Sequence, residues 1–215
     1  MLNIIQGKKI TLLKRTSLNS VNSLLKKNSN WNILDIGCGY RPNKYANTLA
    51  DVQDLSQIHK DKKFIKINEK KLPFKDKEFD FVIASHVIEH VEDFEYFISE
   101  LERISSRGYI ELPSRLGDNL VFENKKDHIW WFVYDDDNNK IIGSKKNQII
   151  EPFITVATAK FFEEIFRESL VIELIWDKKI DYTVDNNLRL ENHPKISFLK
   201  LVKKYFTKKI RNIYK

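Results

Sequence analysis

The sequence predicts an α/β domain whose core is a mostly parallel sheet, because two patterns alternate along it. Nearly continuous apolar runs, which are typical of strands buried on both faces, recur between segments of helical or loop character. The five runs span residues 31–36, 48–52, 64–68, 79–85 and 109–112. This alternation favours parallel strands joined by crossover helices that cover both faces of the sheet.

Three helices are predicted from apolar side chains that recur every three or four residues. The first covers residues 10–27, the second and clearest covers 94–104, and the third surrounds 161–166. Beyond the third helix, runs at 170–176 and 180–184 are separated by Asp-Lys-Lys, which is a hairpin signal. The sheet is therefore expected to end in an antiparallel pair.

Residues 115–156 interrupt the alternation and predict a β-hairpin inserted after the fifth strand. Residues 128–134 have the pattern of a strand, 135–139 that of a polar turn, and 140–142 that of the return strand. We expect this insertion to lie on the acceptor side of a ligand site.

Length and composition indicate one domain with two appendages. The chain has 215 residues, 42% of them hydrophobic, and one cysteine, so it can bury a core without disulfides. We expect a basic helix at 1–30 packed on a domain at 31–190, followed by a basic amphipathic helix at 191–215. No apolar run predicts a secretory leader or a membrane span, so a cytoplasmic location is expected.

The formal net charge of +7 is concentrated at the two ends of the chain. Residues 1–30 carry a net charge of +6 and residues 191–215 one of +7, whereas residues 31–190 carry −6. Enzymes that act on nucleic acids usually surround their active sites with positive charge. The acidic domain therefore disfavours a nucleic-acid partner, although action on RNA through the basic ends stays open.

Polar or glycine residues stand at the carboxyl ends of all five runs, where ligands of open α/β sheets bind. They are, in order, Asp35 with Gly37, Cys38 and Gly39; Asp51 with Asp54 nearby; Asn68; Ser85 with His86; and Glu111.

The glycine loop suits a cofactor other than a dinucleotide. The third glycine of a dinucleotide loop is replaced here by Pro42. Acidic residues at two neighbouring strand ends suit a ligand with a cationic group and a ribose diol but no phosphates. S-adenosylmethionine has these properties, and a carboxylate such as Asp51 can accept both ribose hydroxyl protons.

Two sequence motifs resemble those of a known enzyme family. Residues 33–39, ILDIGCG, resemble motif I of class I S-adenosylmethionine-dependent methyltransferases. Leu72-Pro73-Phe74 followed by FDFVIASHVIEHV at 79–91 resembles the signature of the methyltransferase-11 group. The resemblance runs from about residue 31 to 184 and implies a Rossmann-like sheet of about seven strands with an antiparallel last strand.

The resemblance also implies residue roles. Asp35, Gly37, Cys38 and Gly39 would flank the methionine part of the cofactor. Asp51 would hold the ribose, with Asp54 as the alternative, and Asn68 would lie near the adenine. Ser85 and His86 would form the floor of the cofactor and acceptor pocket.

We expect methyl transfer to an oxygen or nitrogen atom of a small molecule or a sugar, including one of surface-glycan biosynthesis. A hydroxyl acceptor needs a base, and imidazole suits that role near neutral pH. His90 is the first candidate and His86 the second, with a structural role as the alternative for both. Glu111, His128 and Trp130 are candidate acceptor contacts.

Two further classes of function stay open at this point. His86 to His90 match H-x-x-E-H, a zinc-peptidase motif that needs a central helix and a downstream acidic ligand. The segment follows a strand-like run instead, so no metal site is assigned. A fold that binds the cofactor or a partner without turnover is the other alternative.

The C-terminal segment 195–215 predicts a basic amphipathic helix. Its apolar side chains fall near one helical face and its lysines lie largely away from that face. We expect this helix to dock on the domain or on a second subunit; peripheral contact with the inner face of a membrane is the alternative. The oligomeric state is left open.

Overall fold

The computed structural model describes residues 12–185 and 197–213. The strands are β1 (Leu12–Arg15), β2 (Ile33–Ile36), β3 (Thr48–Asp51), β4 (Lys63–Lys66), β5 (Phe81–Ser85), β6 (Arg107–Pro113), β7 (Trp130–Asp135), β8 (Lys140–Lys145), β9 (Val171–Asp177) and β10 (Tyr182–Val184). The helices are α1 (Leu18–Lys27), α2 (Phe94–Ile104), α3 (Arg115–Leu120), α4 (Asn124–Asp127), α5 (Val156–Leu170) and α6 (Phe198–Ile213), and a 3-10 turn spans Ile88–His90.

Seven strands form the main sheet in the order β1-β9-β6-β5-β2-β3-β4. Strands β2 to β6 are parallel, whereas β9 runs antiparallel to both of its neighbours, β6 and β1. The predicted Rossmann-like, mostly parallel sheet with an antiparallel last strand is therefore confirmed.

Helices cover both faces of this sheet. Alternate residues of β5 enter different apolar clusters, Val82 with α2 on one face and Phe81 with α1 on the other. This follows from the two-residue period of a strand, since successive side chains point to opposite faces. Residues at the carboxyl ends of β2, β3, β5 and β6 line two cavities.

The predicted helix at 10–27 is wrong for residues 12–15, which form β1. Leu13 pairs with Trp176 of β9 and is almost fully buried. The helix begins only at Leu18, where the hydroxyl of Ser17 accepts a hydrogen bond from the N–H of Ser20. Residues 1–11 lie outside the described part of the chain.

The predicted antiparallel pairing after α5 is also wrong. Strand β10 does not pair with β9 but lies parallel to β8, with Thr183 opposite Ile142. Both edges of β9 are occupied, one by β6 and the other by β1, so no edge is left for β10.

The inserted hairpin is present as the antiparallel pair β7 and β8, and β10 extends it to a second, three-stranded sheet. Helices α3 and α4, which precede the hairpin, were not predicted. The division into 1–30, 31–190 and 191–215 stays a prediction, since 186–196 are also outside the described residues. No helix within 12–185 or 197–213 has the length and hydropathy needed to cross a bilayer.

Candidate active site

A sharp bend follows β2 at the two predicted loop glycines. Gly37 and Gly39 adopt positive φ values of 66° and 51°, which favour glycine. The N–H of Gly37 donates to the carbonyl of Ala50 over 2.8 Å. A Cβ at Gly37 would lie 2.3 Å from Cγ2 of Val87, so the bend also depends on the missing side chain.

Asp51 ends the neighbouring strand, β3, and holds this bend. One carboxylate oxygen accepts the N–H of Gly39 and the other that of Gln53, each over 2.9 Å. Asp54 is exposed, and its carboxylate accepts the Ser56 hydroxyl over 2.6 Å. Of the two candidates for the ribose, the structure thus places Asp51 at the bend and Asp54 away from it.

A cavity of about 700 Å³, here called the Gly37 cavity, opens beside the bend. Its lining combines the carboxylate of Asp51 with apolar side chains, among them Ile67, Leu72 and Phe97. An apolar cavity with a few placed polar groups is the usual form of a small-molecule site.

The remaining predicted cofactor residues do not line the Gly37 cavity. Asp35 is buried and accepts the N–H of Asn43 over 2.7 Å, and burial raises the pKa of this carboxyl to about 6. Burial raises the pKa of the Cys38 thiol to about 12, which argues against a thiolate nucleophile. Asn68 is exposed, although Ile67 and Glu69 on either side of it line the cavity.

A second cavity, of about 570 Å³ and here called the Glu111 cavity, lies next to the first. Its walls come from the ends of β5 and β6 and from α3, α4 and α5. Ser85 lines this cavity, together with two of the predicted acceptor contacts, Glu111 and His128. His86 and His90 line both cavities and therefore form their common wall.

His86 stands at the end of β5 in a left-handed conformation, with a φ of 55°. Its Nδ1 lies 3.2 Å from Oε1 of Glu89 and its Nε2 lies 3.1 Å from Oε1 of Glu111. Burial alone would lower the pKa of His86, but the contacts with Glu111 and Glu89 raise it to about 10. His86 is thus an imidazolium at neutral pH, which argues against its role as a base.

Glu111 is the centre of an ion-pair network that sequence reasoning missed. It accepts the Arg167 guanidinium over 2.6 Å and the Tyr109 hydroxyl, and Nε of Arg167 also contacts Glu173 over 3.1 Å. Burial opposes ionisation of Glu111, but the contacts with His86, Tyr109 and Arg167 lower its pKa to about 2.

His90 and His128 lie together, with ring centroids 4.5 Å apart. Nδ1 of His90 donates to the carbonyl of Asp127 over 3.0 Å, and Nδ1 of His128 is hydrogen-bonded to the buried carboxylate of Asp118. Lys146 pairs with that carboxylate over 2.8 Å. No sequence motif identified Asp118, which orients His128 from α3.

Trp130 takes no part in either cavity. Its side chain is buried against Phe94, at a centroid distance of 4.8 Å, and its Nε1–H donates to the carbonyl of Val91 over 2.9 Å. The structure places it in the core because its strand turns this face of the hairpin toward α2.

The structure lacks the helix on which a zinc-peptidase site would be built. Residues 88–90 form a single 3-10 turn, so His86 and His90 do not share the face of a helix. Both ring nitrogens of His86 contact carboxylates.

A family of known proteins matches part of the chain. Residues 34–110 match the family described as methyltransferase domain. A comparison with curated proteins gives no significant match.

Solved structures with a similar fold come from several organisms. The YcgJ protein of Bacillus subtilis is 18% identical, with a TM-score of 0.38, over 45% of this chain and 51% of that one. The PH0226 protein of Pyrococcus horikoshii is 13% identical, with a TM-score of 0.46, over 75% of this chain and 89% of that one. A SAM-dependent methyltransferase of Archaeoglobus fulgidus is 15% identical, with a TM-score of 0.42, over 75% of this chain and 95% of that one. The match thus spans about half the length of YcgJ.

Proposed function

The chain carries the domain of class I S-adenosylmethionine-dependent methyltransferases, and on this premise we propose that it methylates an oxygen or nitrogen atom of a small polar molecule or a sugar. S-adenosylmethionine is the cofactor, and when bound it supplies a methyl group already activated by the sulfonium. The protein's task is then to orient an acceptor, an effect that can contribute about 7–11 kcal/mol to catalysis.

The Gly37 cavity fits this cofactor. Gly37 lines the cavity without a side chain, so its backbone is the surface that a ligand would meet there. Each carboxylate oxygen of Asp51 accepts one backbone N–H and has a lone pair left for a ribose hydroxyl. The apolar side chains of Ile67, Leu72 and Phe97 suit an adenine ring.

The common wall of the two cavities is the observation that carries the proposal. A methyl transfer needs donor and acceptor in contact, and His86 and His90 border both spaces. We assign the Glu111 cavity to the acceptor. Nδ1 of His90 donates to a carbonyl, so Nε2 carries the lone pair that a base needs.

The charge of the Glu111 cavity supports a neutral, hydroxyl-rich acceptor. Its lining includes four carboxylates against three cationic groups, which are Lys160, Arg167 and the imidazolium of His86. The guanidinium of Arg167 is already paired with Glu111 and Glu173. A polyphosphate chain would meet net negative charge there. A sugar, including a building block of a surface glycan, fits the charge of the Glu111 cavity better.

The test combines binding with transfer. We expect calorimetry to show binding of S-adenosylmethionine and of its demethylated product by the full chain. Incubation with methyl-labelled cofactor should then transfer label to a member of a saccharide and small-metabolite library, and not to RNA.

Three outcomes separate the alternatives. Absence of cofactor binding by folded protein would overturn the proposal. Binding without label transfer to any acceptor class would favour a non-catalytic protein, and transfer to RNA would replace the acceptor assignment.

A further inference from the structure

We propose that Glu89, His90 and His128 form a binding site for a divalent transition-metal ion at the boundary of the two cavities. Each of the three residues offers a ligand atom, and these atoms lie within 4.8 Å of one another. The site differs from the zinc-peptidase motif, because it uses His128 of the insertion and not His86.

The buried carboxylate of Glu89 is the first reason. Its side chain is fully buried, and Oε1 is the oxygen that contacts His86. Oε2 has no hydrogen-bond partner among the described residues. A buried carboxylate oxygen without a partner costs stability, and a cation would satisfy it.

The orientation of the two imidazoles is the second reason. In both rings Nδ1 is hydrogen-bonded to an acceptor. The acceptor is the carbonyl of Asp127 for His90 and the carboxylate of Asp118 for His128. Metal-binding histidines usually have this outer partner, which fixes the tautomer and leaves the Nε2 lone pair for the metal. Asp118 is itself held by Lys146, so it acts as a positioning residue and not as a ligand.

The donor set indicates the class of metal. Two imidazole nitrogens and one carboxylate oxygen suit Zn²⁺, Co²⁺, Fe²⁺ or Mn²⁺ better than Ca²⁺ or Mg²⁺, which prefer oxygen ligands. His90 is exposed to both cavities, which provides an entry path.

Three protein ligands leave a coordination position open. If the proposed function holds, that position would take the acceptor oxygen. The metal would then replace the Nε2 lone pair of His90 in activating the acceptor, because it would lower the pKa of the acceptor hydroxyl so that the proton is lost to water. This last step rests on the proposed function, whereas the metal site itself does not.

Metal binding is tested on the tag-free full chain, stripped with a chelator and without cofactor or acceptor. Co²⁺ should give visible ligand-field absorption with a stoichiometry of one, and Zn²⁺ should compete for the same site. Substitutions Glu89→Gln and His128→Gln should each weaken Co²⁺ binding by at least about tenfold. Glu163→Gln changes a carboxylate of the Glu111 cavity outside the cluster, and its affinity for Co²⁺ should match the original protein.

Circular dichroism shows whether each variant is folded. Because Glu89→Gln is isosteric, this variant alone can test the site if His128→Gln does not fold. Equal Co²⁺ affinity of the folded Glu89→Gln variant and the original protein would overturn the site, as would the absence of Co²⁺ absorption. Cofactor binding without metal binding would refute this inference alone. Metal binding without cofactor binding would refute the proposed function alone.

Discussion

Asp35 and Asp51 lie near the carboxyl ends of neighbouring strands and look equivalent in the sequence, but only one of them is open to a cavity. Asp51 lines the Gly37 cavity, whereas Asp35 lies beneath the bend and bonds to the N–H of Asn43. The sequence motif named both as cofactor residues, because a motif records which residues occur and not which of them a ligand reaches.

Asp51→Asn should weaken S-adenosylmethionine binding. The substitution removes a charged acceptor from two ribose hydroxyls, and hydrogen bonds to charged groups contribute about 1.5–3 kcal/mol. We expect an affinity loss of about tenfold to a hundredfold by calorimetry. Asp54→Asn is the matched control and should bind as the original protein does; equal losses in both variants would assign the ribose differently.

Asp35 predicts a specific pH dependence of stability. Its pKa is raised by burial from 3.8 to about 6, so the folded chain binds the proton more tightly than the unfolded chain. The contribution of Asp35 to the free energy of unfolding is therefore greatest below about pH 4, declines up to about pH 6, and is constant above.

Urea unfolding of Asp35→Asn between pH 4 and 7 measures this decline, which should be absent from the variant. Asp61→Asn alters an exposed carboxylate and should keep the decline of the original protein. A decline that persists unchanged in Asp35→Asn would show that another group causes it.

The two loop glycines should differ in their tolerance of a side chain. Gly39→Ala meets no atom within 4 Å and carries only the cost of positive φ, about 1 kcal/mol, whereas Gly37→Ala also forces Val87 aside. Thermal unfolding should show the larger loss for Gly37→Ala, and Val87→Ala should restore part of it. A double variant no more stable than Gly37→Ala would contradict the steric explanation.

At the scale of elements, the sequence predicted the features that depend on residues close together in the chain. Helix α2 and the five parallel strands follow from periodicity within each segment, and the glycine bend from residues next to one another. Pairing of β1 with β9 joins Leu13 to Trp176, and that of β10 with β8 joins Thr183 to Ile142. These partners are distant in the chain, so neither segment alone indicates which strand will pair with which sheet edge.

The site divides in the same way. Asp51, His86 and His90, which line the Gly37 cavity, lie at or near strand ends and were candidates from the sequence. Asp118 and Arg167 come from α3 and α5 and reach the site only through the fold, while Trp130 is directed into the core by the hairpin.

Arg167 joins α5 to the sheet, and its replacement should destabilise the fold. Arg167→Leu would leave Glu111 and Glu173, both buried, without their common counter-ion. Loss of one partner from a buried ion pair costs about 3–5 kcal/mol. Because the Arg167 side chain is 31% exposed and Glu111 keeps its contact with His86, a smaller loss of about 2 kcal/mol is expected here. Chemical denaturation should show a loss near this value, against less than about 1 kcal/mol for Lys70→Met, which breaks the exposed pair with Asp93. Similar losses in the two variants would contradict a structural role for the network.

At the scale of the whole molecule, α6 carries an unusual combination of charge and exposed apolar surface. The helix contains six basic residues and no acidic one. Leu199, Tyr205, Phe206 and Ile210 are all more than half exposed, so the domain does not cover them within the described part of the chain. A basic amphipathic helix of this kind suits an anionic lipid surface, with about 1 kcal/mol contributed by each basic residue near the membrane.

We therefore predict that the full chain sediments with vesicles containing phosphatidylserine and not with pure phosphatidylcholine, and that added salt releases it. Phe206→Glu should abolish sedimentation, because it places a negative charge on the apolar face of α6. Phe161→Glu is the control, since Phe161 is 60% exposed and Phe206 56%, but Phe161 belongs to α5. Equal sedimentation of the two variants would refute the lipid contact. A dimer that forms without vesicles and is lost in Phe206→Glu would assign the same face to a second copy of the chain.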